Sequence, residues 1–315
     1  MTKYVLKRII WLIPVFFGIV ILIFSIIYIS PSDPAAIILG PGSSLQDKER
    51  IREELGLNGT YFQQLGNYLY NLCVHGDFGD SYVTQVPVIS SILQRLPNTL
   101  LIGSISMVLV VICGIPLGIF AATHQNKLGD NIATLAALIG VSIPQFWLAL
   151  MLVVVFSSKL HWLPAFGVSS WKSYILPCIA VSVSTIAGLT RQTRSSMLEV
   201  IRSDYITTAR AKGVSDRAVT YKHALPNALM PLITYVGSEL GVILGGTVVI
   251  ETIFTIPGIG TYMTSGINNS DLPVVEGCVI ILGMTFSIVM LLVDIAYAFA
   301  DPRIREQYSK KKRKN

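Results

Sequence analysis

Charged residues are scarce in this chain. Asp, Glu, Lys and Arg account for 13% of its 315 residues, where a soluble domain carries roughly 25%, and 52% of the residues are hydrophobic. That balance excludes a water-solvated globular core as the main architecture. Histidine and cysteine are equally sparse, four of each. His75, His124, His161 and His223 show no metal-binding or catalytic spacing. Cys73, Cys113, Cys178 and Cys278 are scattered too widely for a metal site, allow one disulfide at most, and suit small packing positions. An intramembrane enzyme is therefore disfavoured. No Gly-Lys pair occurs, so the chain lacks the phosphate loop with which it would handle ATP itself. An ion-driven secondary transporter would carry inverted repeats and several mid-membrane ionisable groups; no convincing repeat is found, and Glu239 is the only acid well inside an apolar run.

What is present is a set of six apolar runs of bilayer-spanning length. The first lies between Arg8 and Asp33, the second between Arg95 and Lys127, and the third between Asp130 and Lys159. A shorter fourth covers 174–190, the fifth 231–250, and the sixth 274–300. The first is too long for a signal-peptide core, and no small-residue cleavage site follows it. The expected fold is an all-α polytopic membrane protein of six transmembrane helices. Its expected parts are a stub and first span (1–30), a helical insertion (31–97) and a core of five spans (98–315).

With six spans both termini share a side. That side holds 18 of the 24 basic residues, in the N-terminal stub, the loop at Lys127, the 191–223 loop and the tail 301–315. Lys and Arg stay on the cytoplasmic side of short loops, which puts both termini in the cytoplasm and the insertion outside. The KKKRK run in the tail fits anionic lipid headgroups, and no nucleic-acid module accompanies it. In the insertion, Ser43 or Ser44 is suited to cap a helix that Gly56 ends, and Leu65, Leu69 and Leu72 recur at helical spacing over 61–73.

Within the spans, Pro116, Pro144 and Pro177 are candidate helix interruptions, serving either a gate or packing. Gly237, Gly241 and Gly245 fall four apart and predict a tight helix crossing, within the chain or against a second subunit. Glu239 would cost about 2.5–3.5 kcal/mol facing lipid, so it should line a transport path or bond a neighbouring helix. Asp294 calls for a basic partner such as Arg8 or a residue of the 191–223 loop. The stretch after the fifth span, with Glu251, Pro257 and Gly258, suits either a re-entrant lid over a path or a structural cap.

One basic interlude stands apart: DYITTARAKGVSDRAVTYKHALPNALMPL. Ser203 or Asp204 is placed to cap a short helix through Lys212, and Gly213 suits the left-handed residue that ends it. Ser215 opens a second helix that should stop or bend near Pro226. Asp204, Tyr205, Thr207, Thr208, Ala209, Arg210, Ala211 and Lys212 thus form a short helix with small side chains. By pattern alone it either docks into a groove on another protein or lies on headgroups.

This loop, about 195–230, resembles the EAA loop of binding-protein-dependent ABC importers. The spacing from Gly213 through nine residues to His223, Leu225 and Pro226 fits, although Thr207-Thr208-Ala209 stands where that family has Glu-Ala-Ala. Further pieces, in order, are SPSDPA, ELGL, GDFGDS, RLPNTL, VVIETIFTIPGIG and DPRIR. Together they resemble the dipeptide, oligopeptide or nickel importer permeases, and among those the subunit with a large insertion after its first span. The resemblance implies a type I importer permease fold and half of a translocation path shared with a homologous second permease. It implies two ATPase subunits that bind ATP and Mg, contacted through the short helix, and a binding protein that delivers peptide from outside a prokaryotic membrane. It leaves nickel, another metal chelate or glutathione as alternative cargo, and this chain itself holds no cofactor and catalyses no reaction.

Overall fold

The computed structural model describes residues 2–31, 33–40 and 42–300, with side chains placed from residue 6 to residue 295. The tail 301–315, with its DPRIR and KKKRK stretches, lies outside the described residues. The regular structure described is helical.

α1 (Thr2–Ile29) is the first apolar run. The insertion then folds as α2 (Pro34–Leu39), α3 (Leu45–Glu54) and α4 (Tyr61–Tyr70), which runs on into a π-turn over Asn71–His75. Ser44 caps α3 by accepting the Asp47 N–H at 3.1 Å, and Gly56 ends it at φ +68°, as the sequence leads one to expect. The sequence reading has no counterpart for α2. Asp33 caps it, accepting the Ala35 N–H at 3.2 Å, and Pro34 occupies a first-turn position where a missing N–H is harmless.

α5 (Val88–Thr123) is continuous over 36 residues. The last ten residues of the expected insertion, 88–97, are thus the first turns of this helix. Pro116 does not interrupt this helix, and Pro177 lies in the first turn of α8 (Ile175–Ile201), where it breaks nothing. Pro144 does act as an interruption. The third apolar run is two helices, α6 (Leu128–Ser142) and α7 (Gln145–Leu152), the latter prolonged by a π-turn over Val153–Lys159. The two meet at 98°. Proline forces Ile143 before it into extended backbone (φ −77°, ψ 122°), which ends α6 one residue earlier. The bent pair nevertheless crosses the bundle. Its start is tied to the far end of α8 through Asp130 and Arg194, while the loop that follows it is bonded to the opposite end through Gly167 and Phe254. Five long apolar helices and this broken one make six spans.

Beyond α8 come α9 (Asp204–Ala211), α10 (Asp216–Ala218), a π-turn over Val219–Ala224 and α11 (Leu225–Ile253). The helix expected to stop or bend near Pro226 instead runs on into the fifth span. The wide π-turn directly before Pro226 relieves the clash its ring would make with the preceding turn, and leaves no N–H missing from an α-helical ladder. α12 (Ile259–Asn268) and α13 (Leu272–Ala300) complete the chain.

α8 is the hub. Two thirds (67%) of its most apolar stretch is buried inside the protein, against 11% for α1, so it tolerates the Ser and Thr residues that weaken its apolar run. Its Leu176 and Leu189 pack with Ile102 and Val110 of α5 and with Leu232 and Ile250 of α11. A second cluster joins α1, α12, α13 and the start of α5 through Val20, Ile259, Val274 and Val88. Arg8 near the start of α1 meets Asp294 of α13 at 2.8 Å, one of the two kinds of partner anticipated for that acid.

Candidate functional site

Three places carry the residues singled out in the sequence: the α9 loop, the middle of α11, and the turn after α11. α9 begins after Ser203 and ends at Ala211, with Lys212 as its cap and Gly213 left-handed at φ +79°. Its anchor is Ile206, fully buried among Met197 of α8, Ile119 and Ala122 of α5, and Val219, Ala224 and Ala228. Burying such a side chain contributes roughly 1.5–3 kcal/mol, enough to hold an eight-residue helix that would not form alone. Ala209 is half-buried beside it. Asp204, Tyr205, Thr207, Thr208, Arg210, Ala211, Lys212 and Gly213 are exposed, as are His223 and Pro226, while Leu225 is partly buried. α9 is thus a ledge held by Ile206 with Ala209 packed beside it, and its small-residue and polar surface faces outward.

Asp130 and Arg194 brace this end of the bundle. The Asp130 side chain is 2% exposed and accepts Arg194 Nε at 2.6 Å and Nη2 at 2.8 Å, together with the Asn126 N–H at 2.9 Å. A bidentate pair of this kind fixes direction as well as distance. It ties the start of the broken span to the helix that leads into α9. Sequence reasoning missed it, since 64 residues separate the partners.

Glu239 lies at the midpoint of α11, half-buried at the crossing with α8, where Thr185 Oγ1 donates to Oε2 at 3.4 Å. Of the two roles open to it, the contact between helices is thus present in this structure. Gly237 and Gly241 face α13: a Cβ at either position would overlap Val293 or Phe286. The expected tight crossing is therefore within the chain. Gly245 does not belong to it, because a Cβ there meets nothing within 4 Å.

Glu251 and Gly258 do not line an opening in this structure. Glu251 is fully buried at the end of α11, and its Oε2 accepts the N–H groups of Gly260 at 2.7 Å and Thr261 at 3.2 Å. These are first-turn donors of α12, which have no partner inside their own helix, and their partial positive charge favours a carboxylate. Gly258 and Gly260 lie so close to that carboxyl that a Cβ at either would collide with it or with Val248. Neighbouring bonds pin the same turn. Asn98 Nδ2 donates to the Pro257 carbonyl at 2.9 Å, Tyr174 Oη donates to Asn98 Oδ1 at 2.7 Å, and the Ile259 N–H reaches Thr99 Oγ1 at 2.9 Å. The turn is a cap stitched to α5 and to the start of α8. Pro144 is exposed at the bend between α6 and α7, beside an apolar groove lined by Leu138, Phe146 and Trp147.

A second stitch holds the insertion. Asp271, just before α13, is buried and accepts Ser81 Oγ at 2.5 Å and the Tyr82 N–H at 3.0 Å. Ser81 ends the GDFGDS stretch, whose sequence alone gives no hint of a partner 190 residues away.

Comparison with known proteins follows the same lines. Residues 114–306 match the family described as binding-protein-dependent transport system inner membrane component, and residues 1–103 match the N-terminal part described for such membrane components. The glutathione transport system permease protein GsiC of Escherichia coli (strain K12) is 39% identical over 305 residues, covering 97% of this chain and 99% of that protein. The protein of that name from Shigella dysenteriae serotype 1 (strain Sd197) aligns equally well, at 39% identity over 305 residues. Among solved structures, the inward-facing MetNI methionine ABC transporter has a similar fold, with a TM-score of 0.57 at 16% identity over 68% of this chain and 97% of that one. An amino acid ABC transporter with histidines gives a TM-score of 0.52 at 13% identity, over 68% of this chain and 94% of that one. The chain therefore belongs to the binding-protein-dependent transport system inner membrane components, the multi-pass permease subunits of ABC importers, which work with a binding protein and a separate ATPase.

Proposed function

We propose that the chain forms one half of the translocation path of an importer for short peptides, glutathione among them, and that α9 is where the ATPase takes hold. The observation that carries the coupling role is the construction of α9, a ledge anchored by Ile206 with its polar surface outward. Force applied to α9 passes through that anchor into α5, α8 and α11 together, and through Arg194 and Asp130 into the broken span. The other half of the path is a homologous but different permease, and the large insertion marks this chain as one particular member of the pair. Both termini and α9 face the cytoplasm, in line with the concentration of Lys and Arg on that side. The binding protein meets the opposite face.

Peptide cargo is favoured by the 39% identity, over nearly the whole chain, to a glutathione permease, glutathione being itself a tripeptide. The test uses proteoliposomes of the assembled importer with its binding protein. ATP-dependent accumulation of glutathione or triglycine is expected, and Ala209→Leu should abolish it while leaving cargo capture by the binding protein intact. Accumulation of nickel in place of both peptides would overturn the cargo assignment. Undiminished uptake by Ala209→Leu would overturn the coupling role.

A further inference from the structure

A cavity of about 740 Å³ opens between the insertion and the ends of α1 and α13, at the face away from α9. None of the roles above uses it. Its size is that of a small-molecule site, for which roughly 300–1,000 Å³ is usual. Five carboxylates line it, those of Asp33, Glu54, Asp77, Asp80 and Glu276, against the single guanidinium of Arg52. That guanidinium is already engaged by Asp33 at 2.9 Å and Glu49 at 3.2 Å, so it neutralises nothing deeper in the cavity.

The decisive residue is Glu276. It lies one turn into α13 and is 7% exposed, and its Oε1 is buried without a hydrogen-bond partner. The hydroxyl of Tyr68, next to it, is likewise buried and unpartnered. The two are near enough to interact but fall short of a well-formed hydrogen bond, and buried polar groups generally have a full partner. The surrounding lining is aromatic as well as acidic. Phe24 and Tyr68 stack with centroids 5.6 Å apart, and Tyr28 and Tyr82 add their rings. Acids at the rim, a carboxylate at depth and ring faces between them are the components that recognise an organic cation. A metal ion does not fit the arrangement, because among the described residues no three His, Cys, Asp or Glu side chains stand close enough to hold one.

We infer that this cavity binds a primary ammonium group, which donates to Glu276 beneath the ring of Tyr68. Ethanolamine lipid headgroups and free amine solutes, including the amino terminus of a peptide, share that chemistry. The cavity is apart from the α8–α11 crossing, and its occupation does not require that the importer carry peptides.

The experiment measures binding, so it fails or succeeds separately from any uptake result. Ethanolamine and its uncharged analogue N-acetylethanolamine are titrated into the delipidated, assembled importer, with the thermal midpoint as readout. Ethanolamine should raise the midpoint and N-acetylethanolamine should not. Glu276→Gln should weaken ethanolamine binding at least about tenfold, the loss expected for one charge-assisted hydrogen bond. Native mass spectrometry after incorporation into nanodiscs separates the sources. Retention of phosphatidylethanolamine but not phosphatidylglycerol by the wild type, lost in Glu276→Gln, identifies the lipid. Ethanolamine binding with no retained lipid identifies a solute. If Glu276→Gln does not assemble, Glu54→Gln with Asp80→Asn, both on exposed side chains, should weaken ethanolamine binding several-fold at low salt. An ethanolamine response equal in wild type and variants, or no response to ethanolamine and no retained lipid, overturns the site.

Discussion

Glu251 was a candidate for the transport path, and its surroundings give it another task that can be tested by number. Its carboxylate holds two first-turn N–H groups of α12, at 2.7 and 3.2 Å, in a site with no exposure of its own. Glu251→Ala leaves both donors without an acceptor. Each orphaned buried donor costs about 1–3 kcal/mol, so the turn should open more easily by about 2–6 kcal/mol, before any cavity is counted. With tenfold per 1.4 kcal/mol, the amides of Gly260 and Thr261 should exchange with solvent at least about 30-fold faster. Glu251→Gln keeps an acceptor oxygen and loses the charge, which removes roughly half the strength of each bond. It should fall between wild type and alanine. Hydrogen exchange followed by mass spectrometry over 256–264, in the assembled importer, reads both variants. Unchanged protection in Glu251→Ala alongside a loss of uptake would refute the capping role and return the residue to the path.

Gly237→Ala should cost about 1–3 kcal/mol by overpacking against Val293, whereas Gly245→Ala has open space and should be neutral; thermal unfolding in detergent compares the two. Asp33 is held below the usual carboxylate range chiefly by the hydrogen bond from Arg52. Its folded value is depressed, so its stabilisation of α2 is complete above about pH 4 and is lost as pH falls through the lowered value. Exchange of the Ala35 and Ala36 amides, corrected for intrinsic rate, should accelerate across that window, and Arg52→Gln should move the transition upward. Asp130→Asn removes the charge opposite Arg194 and should loosen the start of α6, read as faster exchange over 126–134, with partial recovery in Asp130→Glu.

The sequence made the spans and the α9 loop legible because their signals are local. Ser203 and Ser215 stand at the N-cap positions of α9 and α10, although neither side chain makes the expected cap bond, and Gly213 is the left-handed stop, so both helices could be placed without knowing any neighbour. The fourth span looked short for the opposite reason. α8 runs to Ile201 with Ser182, Thr185, Thr190, Thr193 and Ser196 buried against other helices, so the length of an apolar run understates the length of a helix that is largely enclosed. The prolines show the same limit. Pro116 sits in an unbroken helix while Pro144 lies where the chain turns by 98°, a difference that proline alone does not announce.

The stretches that carried the family resemblance gained their meaning only when they met in space. RLPNTL supplies Asn98 and Thr99, which hold the turn of VVIETIFTIPGIG at Pro257 and Ile259, while Glu251 of the latter grips the same turn from within. GDFGDS supplies Ser81 to Asp271, and the Asp33 of SPSDPA takes Arg52 from α3, two residues before ELGL. Each stretch is a short polar interruption beside an apolar run, and read alone it is indistinguishable from a loop. Their shared feature is that polar groups at these interruptions are satisfied from afar in the sequence, by another of the same stretches for Asn98 and Thr99, and by Asp271 at the start of α13 for Ser81. Among the buried acids of the described residues, Glu251 and Glu276 each keep one oxygen without a hydrogen-bond partner, but only Glu276 lines a cavity of the insertion. Glu251 spends its other oxygen on two N–H groups of α12, whereas Glu276 stands beside the insertion with aromatic rings and further carboxylates around it, and that setting is what makes an ammonium ligand the fitting partner.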